Sequence, residues 1–258
     1  MSWFEAVILG LVQGLTEFLP VSSSGHLAIA KALFGIESGD LSFEIVVHAA
    51  TVLSVIIVFR KDILLLLQGL FKFKLNSETR YILLICISMI PVFIVGMFFK
   101  DYVEGIFGNG LTVVGVCLMI TALLLFLSQT IKSGEKELNW WRALLVGVAQ
   151  AVAVLPGLSR SGSTIATGLL CGIKRDEIAR FSFLMVLVPI LGEAFLEIVD
   201  GGFAASGIGT LPLLLGFLSA FLSGLLACSA MLAIVKKAKL GWFALYCTVA
   251  GLLCCILG

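Results

Sequence analysis

Five long apolar runs punctuate the chain, at 41–59, 81–99, 111–128, 178–196 and 211–235. Each is close to the ~20 mostly apolar residues that a helix needs to cross ~30 Å of hydrocarbon. A sixth run, 243–257, is shorter but uncharged and predicts one more span. Two regions break this pattern. Residues 3–19 are interrupted by Glu17 and closed by Pro20, and the next apolar piece, 26–34, reaches only ~13 Å at 1.5 Å per residue. Residues 143–155 and 163–171 repeat that outline. Each pair predicts a helical hairpin that enters the membrane, breaks and returns. Residues 63–73 form an extra apolar piece with the character of an interfacial helix.

The two hairpins align without a gap. An offset of 137 carries Gln13 to Gln150, Ser22 to Ser159, Ser24 to Ser161 and Gly25 to Gly162. At similar offsets the run 41–59 falls on 178–196, 81–99 on 211–235, and 111–128 near 243–257. The predicted fold is therefore all-α and membrane-integral, a single domain over 1–258 made of two repeats, 1–130 and 138–258. Each repeat holds one broken hairpin and three spans, about six full spans in all. A hairpin returns the chain to its starting side and three spans carry it across. The second repeat must then be inverted relative to the first, an architecture whose sites lie at mid-membrane between broken helices.

Composition agrees: 60% of the 258 residues are hydrophobic and 13% charged, against about 25% charged in a typical soluble domain. The net charge of +1 and the lack of any basic block offer nothing to nucleic acid. Glu5 precedes the first basic residue, Lys31, so the positive start of a secretory signal is missing. Seven cysteines lie within apolar runs, without metal-ligand spacing, and read as inert packing residues. Sorting the loops by side places 14 of the 17 Lys and Arg residues together, with Lys31 and Lys100 opposite and Arg160 at a hairpin tip. The positive-inside rule makes the first side cytoplasmic, so both termini and the mouth of the first hairpin face outward.

The hairpin tips carry the candidate chemistry. "LPVSSSGHLAIA" (19–30) and "LPGLSRSGSTIA" (155–166) put Pro, Gly and Ser where backbone leaves the helix inside the membrane. Such backbone is tolerated where protein or a water-filled cavity satisfies it. Each tip opens a half-helix whose free N–H groups attract an anion, and serines there cap the helix. Arg160 adds a guanidinium suited to phosphate. Glu17, one turn after Gln13, is a carboxylate at membrane depth and a functional candidate on that ground; a buried pair with Arg160 is the alternative. His26 follows Ser23 by three residues and could serve as its general base or as a cap. Glu44, His48 and Glu193 read as cavity-wall or helix-contact residues.

The stretches "QGLTEFLPVSSSGH" and "PGLSRSGST" resemble the two signature motifs of the bacterial undecaprenyl-diphosphatases, the membrane enzymes associated with bacitracin resistance. The first motif is met by Gln13 and Glu17. The second is met by Pro156, Gly157, Ser159, Arg160, Ser161 and Thr164. Gln13 stands where other members carry glutamate, leaving Glu17 as the one carboxylate. The resemblance covers the whole chain and implies hydrolysis of undecaprenyl diphosphate to the monophosphate lipid carrier of cell-wall synthesis. It implies a bacterial cytoplasmic membrane location, a site open to the outer side, and a divalent cation, Mg²⁺ or Ca²⁺. By position it makes Ser23 the nucleophile, His26 and Glu17 the acid/base and metal-linked groups, and Arg160 the diphosphate clamp. Gln13, Ser22, Ser24, Gly25, Ser159, Ser161 and Thr164 would line the substrate. Whether Ser23 attacks or positions a metal-activated water stays open. The expected partners are a polyprenyl diphosphate and membrane lipid, and a homodimer is compatible with this reading. A polyprenyl-phosphate flippase using the same anion site is the alternative, since inverted repeats are also a transporter architecture.

Overall fold

The computed structural model describes residues 1–36, 41–99, 102, 105, 110–130, 134–192, 208–237 and 240–258. Among these the regular elements are helices, and the one β-bridge joins Lys136 to Ile173.

Both hairpins form. Helix α1 (Trp3–Phe18) starts on a capping box, with the Ser2 hydroxyl accepting from the Glu5 amide and the Glu5 carboxylate accepting from the Ser2 amide. It ends because Pro20 forces Leu19 into extended backbone. Helix α2 (Ser23–Phe34) is closed by Gly35, whose left-handed φ of 65° suits a residue without Cβ. At 12 residues it spans only ~18 Å, short of a bilayer. In the second hairpin α7 (Trp140–Val152) and α8 (Arg160–Leu170) take the same course. Between the hairpins lie α3 (Leu41–Val58), α4 (Arg60–Leu70), α5 (Ser77–Phe98) and α6 (Gly110–Thr130). After the second come α9 (Arg175–Met185), α10 (Thr210–Lys236) and α11 (Gly241–Leu257).

Among the described residues, three helices are long and apolar enough to cross a membrane: α5, α6 and residues 210–235 of α10. A fourth candidate, α3 with α4, bends by 76° at Phe59, so the extra apolar piece is a helix turned sharply from its predecessor. Helix α11 is apolar but shorter. The run 178–196 does not form one continuous span. Its helix stops at Met185 and resumes over 187–192, where Pro189 lacks an N–H and crowds the carbonyl four residues back; residues 193–196 lie outside those described. Exposed Phe93, Met97, Leu123, Phe126, Leu222 and Leu226 face outward from the long helices, as lipid contact requires. The chain is an all-helical, multi-pass membrane protein.

Small residues set the crossings. Gly10 and Gly14 of α1 lie against Gly216, Ala220 and Ser223 of α10, where a Cβ would strike backbone. Gly147 of α7 meets the Ser88 backbone of α5 in the same way, and Gly115 of α6 lies against Gly251 of α11. Without a hydrophobic force between helices in lipid, such close backbone approach and hydrogen bonding hold spans together. Ser219 donates to the Val7 carbonyl at 2.8 Å and Ser54 to the Phe221 carbonyl at 2.9 Å. The largest buried cluster joins Phe18, Phe59, Ile165, Phe183 and Met185, bringing the first tip, α3, α8 and α9 into one core.

Candidate active site

The two tips meet beside this core. At each, a serine caps the following half-helix: the Ser22 hydroxyl accepts from the Gly25 amide at 3.3 Å, and Ser159 from Gly162 at 3.1 Å. Ser22 and Ser24 lie 3.3 Å apart, Ser159 and Ser161 3.4 Å. The tips brace each other across the middle. The Gly157 amide donates to the Ser24 hydroxyl at 3.4 Å, and the Ser161 hydroxyl to the Leu19 carbonyl at 3.2 Å. Gly25 is needed there, because a Cβ would sit 3.1 Å from Gly157 Cα. Ser22 differs from Ser159 in one respect: its φ is +69°, a strained conformation for a residue with a side chain.

That turn sends Ser23 back toward α1. Its hydroxyl donates to Glu17 Oε2 at 2.6 Å, and Gln13 Nε2 donates to the same oxygen at 2.9 Å. The Glu17 side chain is only 6% exposed. The expected Ser23–His26 contact is not formed. His26 places Nδ1 at 2.8 Å from the Ser22 carbonyl and Nε2 at 2.6 Å from the Tyr246 hydroxyl of α11. The group poised to take the Ser23 proton is Glu17.

Arg160 brings positive charge to the Glu17 carboxylate, and His48 is the other ring or cation near it. His48 Nε2 lies 3.8 Å away, and its Nδ1 is turned to the Glu44 carbonyl at 2.7 Å. Arg160 makes no direct ion pair with Glu17 among the described residues. Its Nη1 is buried with no hydrogen-bond partner, and a buried cationic donor left open is a place for an anion. Gln13 Oε1 is likewise buried without a partner.

Several expected substrate contacts also serve the structure. Ser22 and Ser159 cap helices, Ser161 holds the opposite tip, and Thr164 is spent on the Arg160 carbonyl at 2.9 Å and the Ser182 hydroxyl at 2.6 Å. Glu44 pairs with Lys31, a helix contact as expected, and Glu193 lies outside the described residues. His48 joins the site although its sequence suggested a wall residue. Its signal was there: a lone imidazole in an apolar span. Tyr246 gave none.

Residues 6–253 match the model of the bacitracin resistance protein BacA family. Relatives named undecaprenyl-diphosphatase include one from Bacteroides fragilis, 59% identical over 97% of this chain and 96% of its own. One from Parabacteroides distasonis is 59% identical over 98% and 97%, and one from Carboxydothermus hydrogenoformans 42% identical over 97% and 95%. The chain belongs to the bacitracin resistance protein BacA family.

Proposed function

We propose that this protein hydrolyses undecaprenyl diphosphate to undecaprenyl phosphate and phosphate, returning the lipid carrier to cell-wall synthesis and so conferring bacitracin resistance. The observation that carries the reading is the Ser23 hydroxyl donating to Glu17 at 2.6 Å opposite the open, buried Nη1 of Arg160. Phosphoryl transfer needs an attacking oxygen, a proton acceptor and cations around the transferring group. Ser23 supplies the first, Glu17 the second, and Arg160 with the α8 N-terminus part of the third. If Ser23 attacks, its oxygen bonds to the terminal phosphorus and its proton passes to Glu17. The bond to the bridging oxygen breaks, and the lipid monophosphate leaves with that electron pair. Water then displaces the serine oxygen, releasing phosphate. In the alternative route a water held by Glu17 and Ser23 attacks directly, with Glu17 again the acceptor. His26 is a second proton-transfer group at this tip.

A divalent cation, Mg²⁺ or Ca²⁺, belongs to this proposal. Among the described residues no group of three His, Cys, Asp or Glu side chains is clustered. Glu17 and the open Gln13 Oε1 nonetheless match the oxygen preference of such ions, which complete their shell with water and substrate phosphate. Bound there, the ion would offset negative charge on the diphosphate. A flippase for the same lipid would use the anion site but has no need of the Ser23–Glu17 pair, and the relatives' names describe diphosphatases. Purified protein is expected to release phosphate from undecaprenyl diphosphate and to stop when a chelator is added. No release with Mg²⁺ or Ca²⁺ present would refute the enzyme reading.

The inverted repeat is part of the same proposal. Its support is that the packing recurs at the repeat offset: α1 on α10 through Gly10, and α7 on α5 through Gly147. The last helices of the two proposed repeats, α6 and α11, also meet, with Gly115 against Gly251. The basic loops also gather at one end. Arg180 bonds Asp62 at 3.2 Å, and the Leu138 amide bonds Glu177 at 2.9 Å. With that end in the cytoplasm of a bacterial inner membrane, the Ser23 tip opens outward. A topology reporter fused after Gly258 should be active only outside the cytoplasm; activity confined to the cytoplasm would reverse the orientation.

A further inference from the structure

The last span touches the first tip through one polar side chain. Tyr246 on α11 brings its hydroxyl to 2.6 Å from His26 Nε2, and the two rings stack with centroids 5.5 Å apart and planes inclined by 15°. The other nitrogen, Nδ1, lies 2.8 Å from the Ser22 carbonyl oxygen. A carbonyl can only accept, so Nδ1 carries a proton. In the neutral ring Nε2 is then the acceptor and Tyr246 the donor. The imidazole is thus fixed at both nitrogens and on one face. Two of these restraints come from a residue 220 positions away.

We propose that Tyr246 is a positioning residue for the phosphatase reaction, fixing, together with the Ser22 carbonyl, the direction of His26 so that Nε2 is the nitrogen that exchanges protons at the first tip. This rests on the diphosphatase reading of the site. Without the hydroxyl, the ring keeps its stacking partner and its bond to the Ser22 carbonyl but loses the donor that fixes Nε2, so fewer molecules at any moment present Nε2 correctly. The loss belongs to turnover, because Tyr246 holds no part of the Arg160 clamp.

The test compares the full-length protein with Y246F in two ways. Phosphate release from undecaprenyl diphosphate should show kcat about tenfold lower, the effect of removing one orienting hydrogen bond, with KM within about twofold. Nitrogen-15 NMR of labelled histidine should show the His26 Nε2 resonance moving in Y246F. The chain has two histidines, and H26N identifies the signal. A purely packing role would leave that resonance in place. Unchanged kcat, a defect carried by KM, or an unmoved His26 resonance overturns the proposal. If the unmodified protein releases no phosphate, the diphosphatase reading fails instead, while the NMR comparison still decides whether Tyr246 sets the imidazole.

Discussion

Ser23→Ala is expected to abolish phosphate release from undecaprenyl diphosphate while leaving the lipid bound. The hydroxyl has one acceptor, Glu17 Oε2 at 2.6 Å, and no role in capping α2, which falls to Ser22. The substitution therefore removes the attacking oxygen without loosening the tip. Nucleophile and base act as a unit, so either loss should lower turnover by ~10³-fold or more. Glu17→Gln should fall as far, since an amide can accept the hydrogen bond but cannot take the proton or supply negative charge. Single-turnover assays with a separate measurement of substrate affinity check both. If Ser23→Ala retained a tenth or more of normal turnover, the covalent route would be eliminated. The water-attack route, with Glu17 as base, would then stand.

Arg160→Lys is the second large effect, with kcat/KM lower by ~10²–10³-fold. The arginine is the first residue of α8, at the tip opposite Ser23, with Nη1 buried and free of partners. Arginines aimed at a transferring phosphoryl group contribute about 10³–10⁵ in rate. Lysine keeps the charge but presents a point in place of a fork, so it neutralises the phosphate without orienting it. Both kcat and KM should suffer, because the clamp acts before and during transfer. Turnover within threefold of normal would make Arg160 a structural charge, balancing Glu17 and nothing more.

The hairpins and their caps were legible because capping is local. Ser22 and Ser159 each answer an amide three residues on, and the sequence displays that spacing. The likeness of the two hairpins was legible from the matching offsets of those serines. The partner of Ser23 was not. Three-residue spacing put Ser23 and His26 on one helix face, but side chains in a first turn lean toward the helix start, and the +69° φ of Ser22 directs Ser23 to Glu17, six positions back. Tyr246 could not be found from spacing at all, since only tertiary packing joins residues 220 apart. The break at Val186 was signalled by Pro189, yet the mostly apolar character of 178–196 concealed it. Hydropathy measures affinity for lipid and is blind to a missing amide.

The crossing of α1 on α10 has a consequence for synthesis. Gly10 and Gly14 lie against Gly216 and Ala220, and Val7 accepts from Ser219, 212 residues later. Contacts so distant along the chain form late and slowly. As the ribosome works through the intervening spans, the Gly10–Gly14 face of α1 waits in the membrane uncovered, for α10 packs against it and α11 brings Tyr246. A chain halted before residue 210 would hold every motif by which its sequence is recognised and would have nothing for α1 to close against. Quality control that samples nascent chains would meet this protein as a set of inserted helices with the small-residue face of α1 unpaired until its final fifth is made.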